Sequence, residues 1–218
     1  MPHEKLLCFE EYALVHSGER KTPIWVAEAL TTARVDATVK RKDAFHAEPQ
    51  LEQGERAELN DYRKSGYARG HMAPSGDMST PSAQRESFSL ANMVPQNSRN
   101  NSVPWKGIED TVRTLAKANG TVYIVTGPIY PSSTLPQTIG DDRVAVPVKL
   151  YKAIYQPSTH TAGAYVVTNE SEPECQEVSI AELKAETGIS VFPSLPETEA
   201  IEPAILPLPG KLSCSLKR

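Results

Sequence analysis

The sequence predicts an α+β fold in a single domain of residues 1–218, because strand-like segments lie on both sides of one amphipathic helix. Trp105, Ile108, Val112 and Leu115 are three or four residues apart and share one helical face, so residues 104–119 predict the helix. Gly120 follows this pattern and ends it. The predicted strands are residues 6–15, 24–30, 87–94, 121–126, 146–155 and 161–167, of which the last two read as an antiparallel pair.

The remaining segments are predicted from turn and capping residues. Residues 46–66 are polar and predict a loop. Ser179 and Glu182 form an S-x-x-E capping box, which predicts a short helix that ends at Gly188. Five prolines follow Phe192, so residues 193–218 predict an extended tail.

Composition excludes two classes of protein. With 39% hydrophobic and 23% charged residues, the chain has enough apolar side chains for a packed core, which excludes wholesale disorder. No apolar run approaches the roughly 18–20 residues of a membrane span, so no membrane partner is expected. Residues 1–9 lack the pattern of a signal peptide, which leaves either a protein that does not use that route or one that has lost a leader.

Charge is unevenly distributed, although the net charge is only −4. Residues 56–106 contain seven basic and four acidic side chains, whereas residues 170–202 contain nine glutamates and one lysine. The middle of the chain could therefore face a polyanion while the acidic segment faces away. A random distribution of charged side chains over the protein surface explains the same pattern equally well.

The three cysteines form no CxxC or Cys/His cluster, which argues against a structural zinc site. Cys175 and Cys214 could close a loop of about 40 residues by a disulfide, worth roughly 3–4 kcal/mol in the chain-entropy model, or could be unrelated thiols. Cys8 lies in the apolar sequence LLCF and is predicted to be a buried strand residue.

The residues with the clearest chemistry lie between positions 61 and 113. Phosphodiester hydrolysis needs a base for the attacking water, positive charge for the phosphoryl oxygens and stabilisation of the leaving 3′ oxygen. His71, with an ordinary pKa of about 6.5, suits the first task, and the planar fork of Arg69 suits the second. Magnesium suits the third and takes few protein ligands, so the carbonyl oxygen of Asn101 would suffice as its anchor, and Glu109 could order water bound to the metal.

Each of these residues also has an ordinary structural interpretation. A loop histidine is more often a hydrogen-bonded surface residue than a catalyst. Asn100 and Asn101 suit a helix cap, and Glu109 with Arg113 has the spacing of an i,i+4 ion pair. From these residues alone, a phosphodiesterase is therefore one hypothesis beside these structural roles.

Five short motifs occur in order along the chain. They are DYRKSGYARGHMAP at 61–74, SLANMVPQ at 89–96, NSVPW at 101–105 followed by Glu109, TGPIY at 126–130, and VP with YK at 146–147 and 151–152. Together they resemble the DRGH, LSN-x-x-PQ, NQ-x-x-W-x-x-x-E, TGP-x-Y and VP-x-x-Y-K motifs of the DNA/RNA non-specific endonucleases. This family includes the Serratia-type nucleases and endonuclease G, and the resemblance spans roughly residues 12–214.

The resemblance implies a fold and a metal site. The fold would be a ββα-metal finger at about residues 67–119, embedded in a larger antiparallel-sheet domain. His71 would be the general base, and Asn101 would be the sole direct protein ligand of Mg²⁺, for which Mn²⁺ could substitute. Glu109 would hold water bound to the metal, and Asn92 would orient the site as a further member of the catalytic group.

The resemblance also implies substrates and a location. Arg69, Arg113 and Arg41 would bind the phosphates of DNA and RNA, with Arg34 competing for the role of Arg41. Products would carry 5′-phosphate and 3′-hydroxyl ends. Cys175 and Cys214 resemble a disulfide of the secreted branch, so a secreted or periplasmic location is expected.

One position departs from the motif, because Ala68 stands where the family has its aspartate. This departure motivates one alternative to a nuclease, a nucleic-acid-binding module that has lost turnover. A further alternative is a disulfide-stabilised protein-interaction domain that uses the acidic residues 170–202 as its contact surface. The sequence leaves open an inhibitor protein and a homodimer as partners. For a nuclease we expect no sequence specificity, inhibition by salt, and loss of activity in acid as His71 is protonated.

Overall fold

A long, mainly antiparallel sheet forms the centre of the computed structural model, which describes residues 3–37, 39–201, 206–207 and 214–216. Within these residues the order of the eight sheet strands is β1-β2-β3-β6-β9-β10-β11-β12, and only the last pair is parallel. Their bounds are β1 (Glu4–Cys8), β2 (Tyr12–Ser17), β3 (Thr22–Leu30), β6 (Val122–Ile129), β9 (Lys149–Gln156), β10 (Thr161–Thr168), β11 (Cys175–Val178) and β12 (Ser215–Leu216).

Two smaller hairpins lie outside this sheet. One pairs β4 (Ala68–His71) with β5 (Met93–Gln96), and the other pairs β7 (Thr138–Ile139) with β8 (Val144–Ala145). The helices are α1 (Thr32–Asp36), α2 (Leu59–Tyr62), α3 (Pro81–Ser87), α4 (Ser98–Asn100), α5 (Lys106–Asn119), α6 (Ile180–Thr187) and α7 (Glu197–Ile201).

The two faces of the sheet are covered by different elements. Ile124 and Ile154 belong to the cluster that includes the apolar face of α5, whereas Val125 and Ala153 belong to the cluster that includes α6. Successive residues of a strand point to opposite faces of the sheet, so β6 and β9 place apolar side chains on both faces. This explains why TVYIVT forms a continuous apolar run rather than an alternating one.

The finger consists of the β4–β5 hairpin followed by α4, a π-helical turn at Asn101–Trp105, and α5. Pro104 lies inside this π-helical turn and has no N–H to donate to the preceding turn of the helix. The backbone hydrogen bonds therefore follow the wider π-helical pattern there before α5 begins. The predicted apolar face is buried, with Trp105 fully enclosed. The α+β fold and the ββα finger are therefore confirmed.

Three further expectations are confirmed in the structure. Strands β9 and β10 pair antiparallel. Helix α6 begins with the Ser179–Glu182 capping box and ends at Gly188 in the left-handed conformation. Cys175 and Cys214 form a disulfide that closes a separation of 39 residues.

Four local expectations were wrong. Residues 6–15 form two strands, because Phe9 N–H donates to the carbonyl oxygen of Tyr12 (2.9 Å) and turns the chain. The predicted strand 87–94 is mostly the end of α3 and a 3₁₀ turn, and the predicted loop 46–66 contains α2. Cys8 is exposed rather than buried.

The tail was predicted to be extended, but α7 lies within it. Of the residues that follow α7, only 206–207 and 214–216 belong to the described part of the chain, and the expectation for the rest lies outside it. No helix in the described ranges is long and apolar enough to cross a membrane.

Candidate active site

Strand β4 places Arg69 and His71 on one face of the finger. In an antiparallel pair side chains alternate, so Arg69 and His71 share one face while Ala68 and Gly70 share the other. Gly70 is opposite Val94, and a Cβ atom at Gly70 would lie 2.6 Å from the Cβ of Gln96. The glycine between Arg69 and His71 is therefore needed for the two strands to approach.

The imidazole of His71 is enclosed by aromatic rings. Its ring lies edge-on to Phe88 with centroids 5.0 Å apart, and Phe45 is 5.7 Å away. Its Nε2 atom is buried and has no hydrogen-bond partner among the described residues. Burial, and then the positive charge of Arg41, lowers the pKa of His71 to about 3, so the expectation of titration near 6.5 was wrong.

Two arginines lie beside this histidine with their side chains on aromatic rings. The guanidinium carbon of Arg69 is 4.1 Å from the Phe45 ring centroid, and that of Arg41 is 5.2 Å from the Phe88 centroid. Arg41 also pairs with exposed Asp43, whereas Arg69 has no ion pair in the described part of the chain.

Arg34, the competitor of Arg41, is occupied elsewhere. It donates hydrogen bonds to the carbonyl oxygens of Ala29 (2.6 Å) and Asp77 (3.0 Å), and it pairs with Glu11. Arg34 is largely buried, while Arg41 reaches the cavity that contains His71. The structure therefore brings Arg41, and not Arg34, to the site.

Arg113 reaches the same cavity but is held by carboxylates. Its Nε donates to Asp77 (2.6 Å), one terminal nitrogen donates to Asp110 (2.7 Å), and the other is 3.8 Å from Glu109. Gly76 makes room for it, because a Cβ atom there would lie 2.8 Å from the guanidinium. Its charge is shared among three acids, which makes Arg113 a support for Glu109 more than a free phosphate ligand.

Glu109 is partly buried within a group of ionisable side chains. Burial raises its pKa to about 7, against the opposing effect of Lys152 and Arg113. Lys152 is 1% exposed and donates to Thr126 Oγ1 (2.8 Å) and to the carbonyl oxygen of Met72 (3.3 Å). Sequence reasoning assigned no role to Lys152 or Asp77, although a lysine inside the apolar strand KLYKAIYQ is a signal of buried charge.

Asn101 begins the π-helical turn and is positioned by a chain of amide side chains. Asn97 caps the short helix before it, and Asn169 Oδ1 accepts from Asn97 N–H (2.8 Å). Gln96 donates to Asn100 Oδ1 (2.8 Å), and Asn100 donates to the carbonyl oxygen of Thr168. Single-turn π insertions are frequent at functional sites, because they redirect one side chain of a helix.

Asn92 lies behind the site rather than in it. It is fully buried; its Nδ2 donates to the carbonyl oxygens of Ala73 (2.8 Å) and Ser87 (2.9 Å), and its Oδ1 accepts from Ala73 N–H (2.9 Å). It fixes the backbone that follows His71, and it does not line the cavity. Its place among the catalytic residues is therefore corrected to that of a positioning residue.

The remaining predicted residues converge on one open cavity of about 400 Å³, which we call the main cavity. Those that line it are Arg41, Arg69, His71, Asn101, Glu109 and Arg113. In the described ranges no three His, Cys, Asp or Glu residues cluster into a metal-binding group. An amide and a carboxylate that reach one cavity fit a hard cation such as Mg²⁺, which keeps most of its water.

Comparisons with known proteins agree with this geometry. Residues 2–198 match the family described as DNA/RNA non-specific endonuclease. The chain is 37% identical over 207 residues to the mitochondrial nuclease EXOG of Danio rerio, covering 86% of this chain and 60% of that protein. It is 30% identical to the mitochondrial nuclease of Saccharomyces cerevisiae, covering 87% of this chain and 66% of that protein.

A solved structure, "Crystal structure of the EndoG/EndoGI complex: Mechanism of EndoG inhibition", superposes with a TM-score of 0.78 at 30% identity. The match covers 90% of this chain and 86% of that one. The expected secreted or periplasmic location was wrong, because the relatives from D. rerio and S. cerevisiae are both named as mitochondrial nucleases. The chain spans about 60% of the length of the D. rerio relative.

Proposed function

Since the chain belongs to the DNA/RNA non-specific endonuclease family, we propose that it hydrolyses phosphodiester bonds in DNA and RNA without sequence specificity, with Mg²⁺ as its cofactor. One observation carries this proposal. His71, whose buried Nε2 has no hydrogen-bond partner among the described residues, lines the same cavity as two arginines and the oxygen donors Asn101 and Glu109.

His71 is the proposed general base for the attacking water. Its low pKa keeps the imidazole neutral at physiological pH, so it is able to accept a proton. The positive charges of Arg41 and Arg69 contribute to this low pKa, and a phosphate bound between them would offset both charges. Substrate binding therefore raises the basicity of His71 when a proton must be taken up.

Arg69 and Arg41 are the proposed phosphate ligands. Arg69 has no ion pair in the described residues, and Phe45 holds its guanidinium in place by a cation–π contact of 4.1 Å. Contacts to phosphate carry affinity but little sequence information, which accounts for cleavage without sequence preference. Arg113 acts through Glu109 and Asp77 rather than on the phosphate.

Asn101 and Glu109 are the residues that would hold the magnesium ion, or Mn²⁺ in its place. When bound, the ion would supply positive charge to stabilise a leaving 3′ oxygen, and the products would then carry 5′-phosphate and 3′-hydroxyl ends. Arg113, 3.8 Å from Glu109, and buried Lys152 both favour the ionised carboxylate. These two residues oppose the effect of burial, which raises the pKa of Glu109 to about 7.

The test is degradation of supercoiled plasmid and of single-stranded RNA by purified protein with Mg²⁺. We expect both to be degraded, and we expect a chelator or His71→Ala to reduce the rate by about 10²- to 10⁴-fold. His160→Ala, at an exposed position, is the matched control and should retain activity. Circular dichroism establishes that each variant is folded.

Tight binding without cleavage, at every pH and metal concentration tried, would contradict the proposal. It would favour a nucleic-acid-binding module in which Ala68 marks the loss of turnover. A protein inhibitor is the partner we propose, since the superposed structure is titled as a complex that explains EndoG inhibition. A homodimer remains a prediction that analytical ultracentrifugation tests.

A further inference from the structure

A second cavity adjoins the main cavity and shares three of its residues. We call it the side cavity. Its volume is about 460 Å³, within the ~300–1,000 Å³ of typical small-ligand sites. Arg41, Arg69 and Asn101 line both cavities, and the side cavity is completed by Phe45, Leu59, Tyr62, Arg63, Tyr67 and Ala68. A ligand in it would lie next to any phosphate held by Arg69.

One tyrosine that lines the side cavity has a hydroxyl group without a hydrogen-bond partner among the described residues. Tyr62 is 6% exposed, and its phenolic oxygen is buried without a hydrogen bond in the described part of the chain. A buried polar atom without a hydrogen bond is unfavourable, so a ligand group that bonds to it is favoured. A hydroxyl donates or accepts as required, so it suits any base edge.

The walls of the side cavity are aromatic and basic. The Tyr67 ring is partly exposed, and its hydroxyl donates to Gln137 (3.2 Å), which anchors the end of the side chain. Arg63 is exposed and, like Arg69, has no ion pair among the described residues. Ala68 adds no charge, so no carboxylate lines the side cavity.

We propose that the side cavity binds the nucleoside next to the scissile phosphate. The base stacks on Tyr67, the Tyr62 hydroxyl bonds to the base edge, and Arg63 faces the adjoining backbone phosphate. This assignment rests on the proposed nuclease function. Stacking is tolerant of sequence, because every base has a π face, so the site adds affinity without adding specificity.

The experiment is an abasic scan of a single-stranded DNA oligonucleotide. One abasic residue is moved along the strand, and the cleavage rate at each bond is read from a denaturing gel. We expect an abasic residue to slow cleavage about tenfold at one neighbouring bond only, as loss of one base–aromatic stack would.

The variants tie this effect to the side cavity. Tyr67→Ala should slow cleavage of the intact oligonucleotide about tenfold and should show no further loss with the abasic residue. Tyr62→Phe removes only the hydroxyl and should cost about threefold. Tyr123→Ala changes an exposed tyrosine on another part of the sheet, so it should give the same scan as the unmodified protein.

An active enzyme with a flat abasic scan would overturn the side-cavity assignment and leave the nuclease proposal intact. The same holds if Tyr67→Ala and Tyr62→Phe both keep the full abasic effect. No cleavage of any oligonucleotide by the unmodified protein would overturn the proposed function, and the side-cavity assignment with it.

Discussion

The two faces of the central sheet are built from the same strands but bury different chemistry. On the face toward the finger, Lys152 lies near the buried acids Glu28 and Asp77 and the partly buried Glu109. On the face toward α6, its neighbour Tyr151 packs with aliphatic side chains such as Val125 and Leu183. One face stabilises the fold by apolar burial, whereas the other also carries charged side chains that need ion pairs and hydrogen bonds to offset their burial.

The energetic consequence of this difference is an unequal sensitivity to substitution. Burial raises the pKa of Glu28 to about 8 and that of Glu109 to about 7, while Lys152 opposes both shifts. Removing one charge therefore disturbs several groups at once. The apolar face has no such coupling, so its substitutions should act locally.

The largest expected effect is on Lys152. Lys152→Met should lower the free energy of unfolding by about 3–5 kcal/mol at neutral pH, because it leaves buried carboxylates uncompensated. Tyr151→Phe is the matched control on the other face, and it should change stability by less than about 1 kcal/mol because it removes only an unpartnered hydroxyl. Urea unfolding measures both, and equal losses would contradict the contrast between the faces.

Leu183→Ala tests the apolar face. Leu183 is fully buried, so the cavity should cost about 2–4 kcal/mol, with little dependence on pH. The rate of plasmid cleavage by the folded protein should be unchanged, since α6 covers the face away from the finger. Loss of turnover at a temperature where the variant remains folded would show that the two faces are coupled.

Magnesium affinity should depend on pH through Glu109. Its pKa of about 7 means that the carboxyl is protonated below pH 7, and a proton competes with the metal ion. The Mg²⁺ concentration for half-maximal activity should therefore rise up to about tenfold per pH unit as pH falls below 7, and should level off above it. Glu109→Gln should bind Mg²⁺ more weakly and should lose most of this pH dependence. An unchanged pH profile in Glu109→Gln would contradict the role of Glu109 in magnesium binding.

The smallest expected effect concerns salt. Activity below substrate saturation should fall steeply with salt, and Arg69→Ala should reduce the slope of log kcat/KM against log salt by about 1. Lys184→Ala, on α6, is the control and should keep the slope of the unmodified protein. Equal slopes in all three proteins would place phosphate binding elsewhere than on the finger.

Local elements of the fold were predictable because local patterns specify them. The face of α5 follows from the spacing of Trp105, Ile108, Val112 and Leu115, and α6 follows from its capping box. The 87–94 segment was not predictable in this way. Asn92 satisfies backbone carbonyls of Ala73 and Ser87, which are 19 and 5 residues away, and only the folded chain provides them.

By itself, the sequence determined the α+β class, the amphipathic helix and the order of the motifs that contain His71, Asn101 and Glu109. Only the tertiary structure decided that Arg41 and not Arg34 lies at the main cavity, and that Asn92 lies behind it. It also decided that Lys152 faces Glu109 and that burial lowers the pKa of His71. The physical reason is that spacing along a chain specifies the face of a helix or strand, while burial and charge depend on residues that only folding brings together.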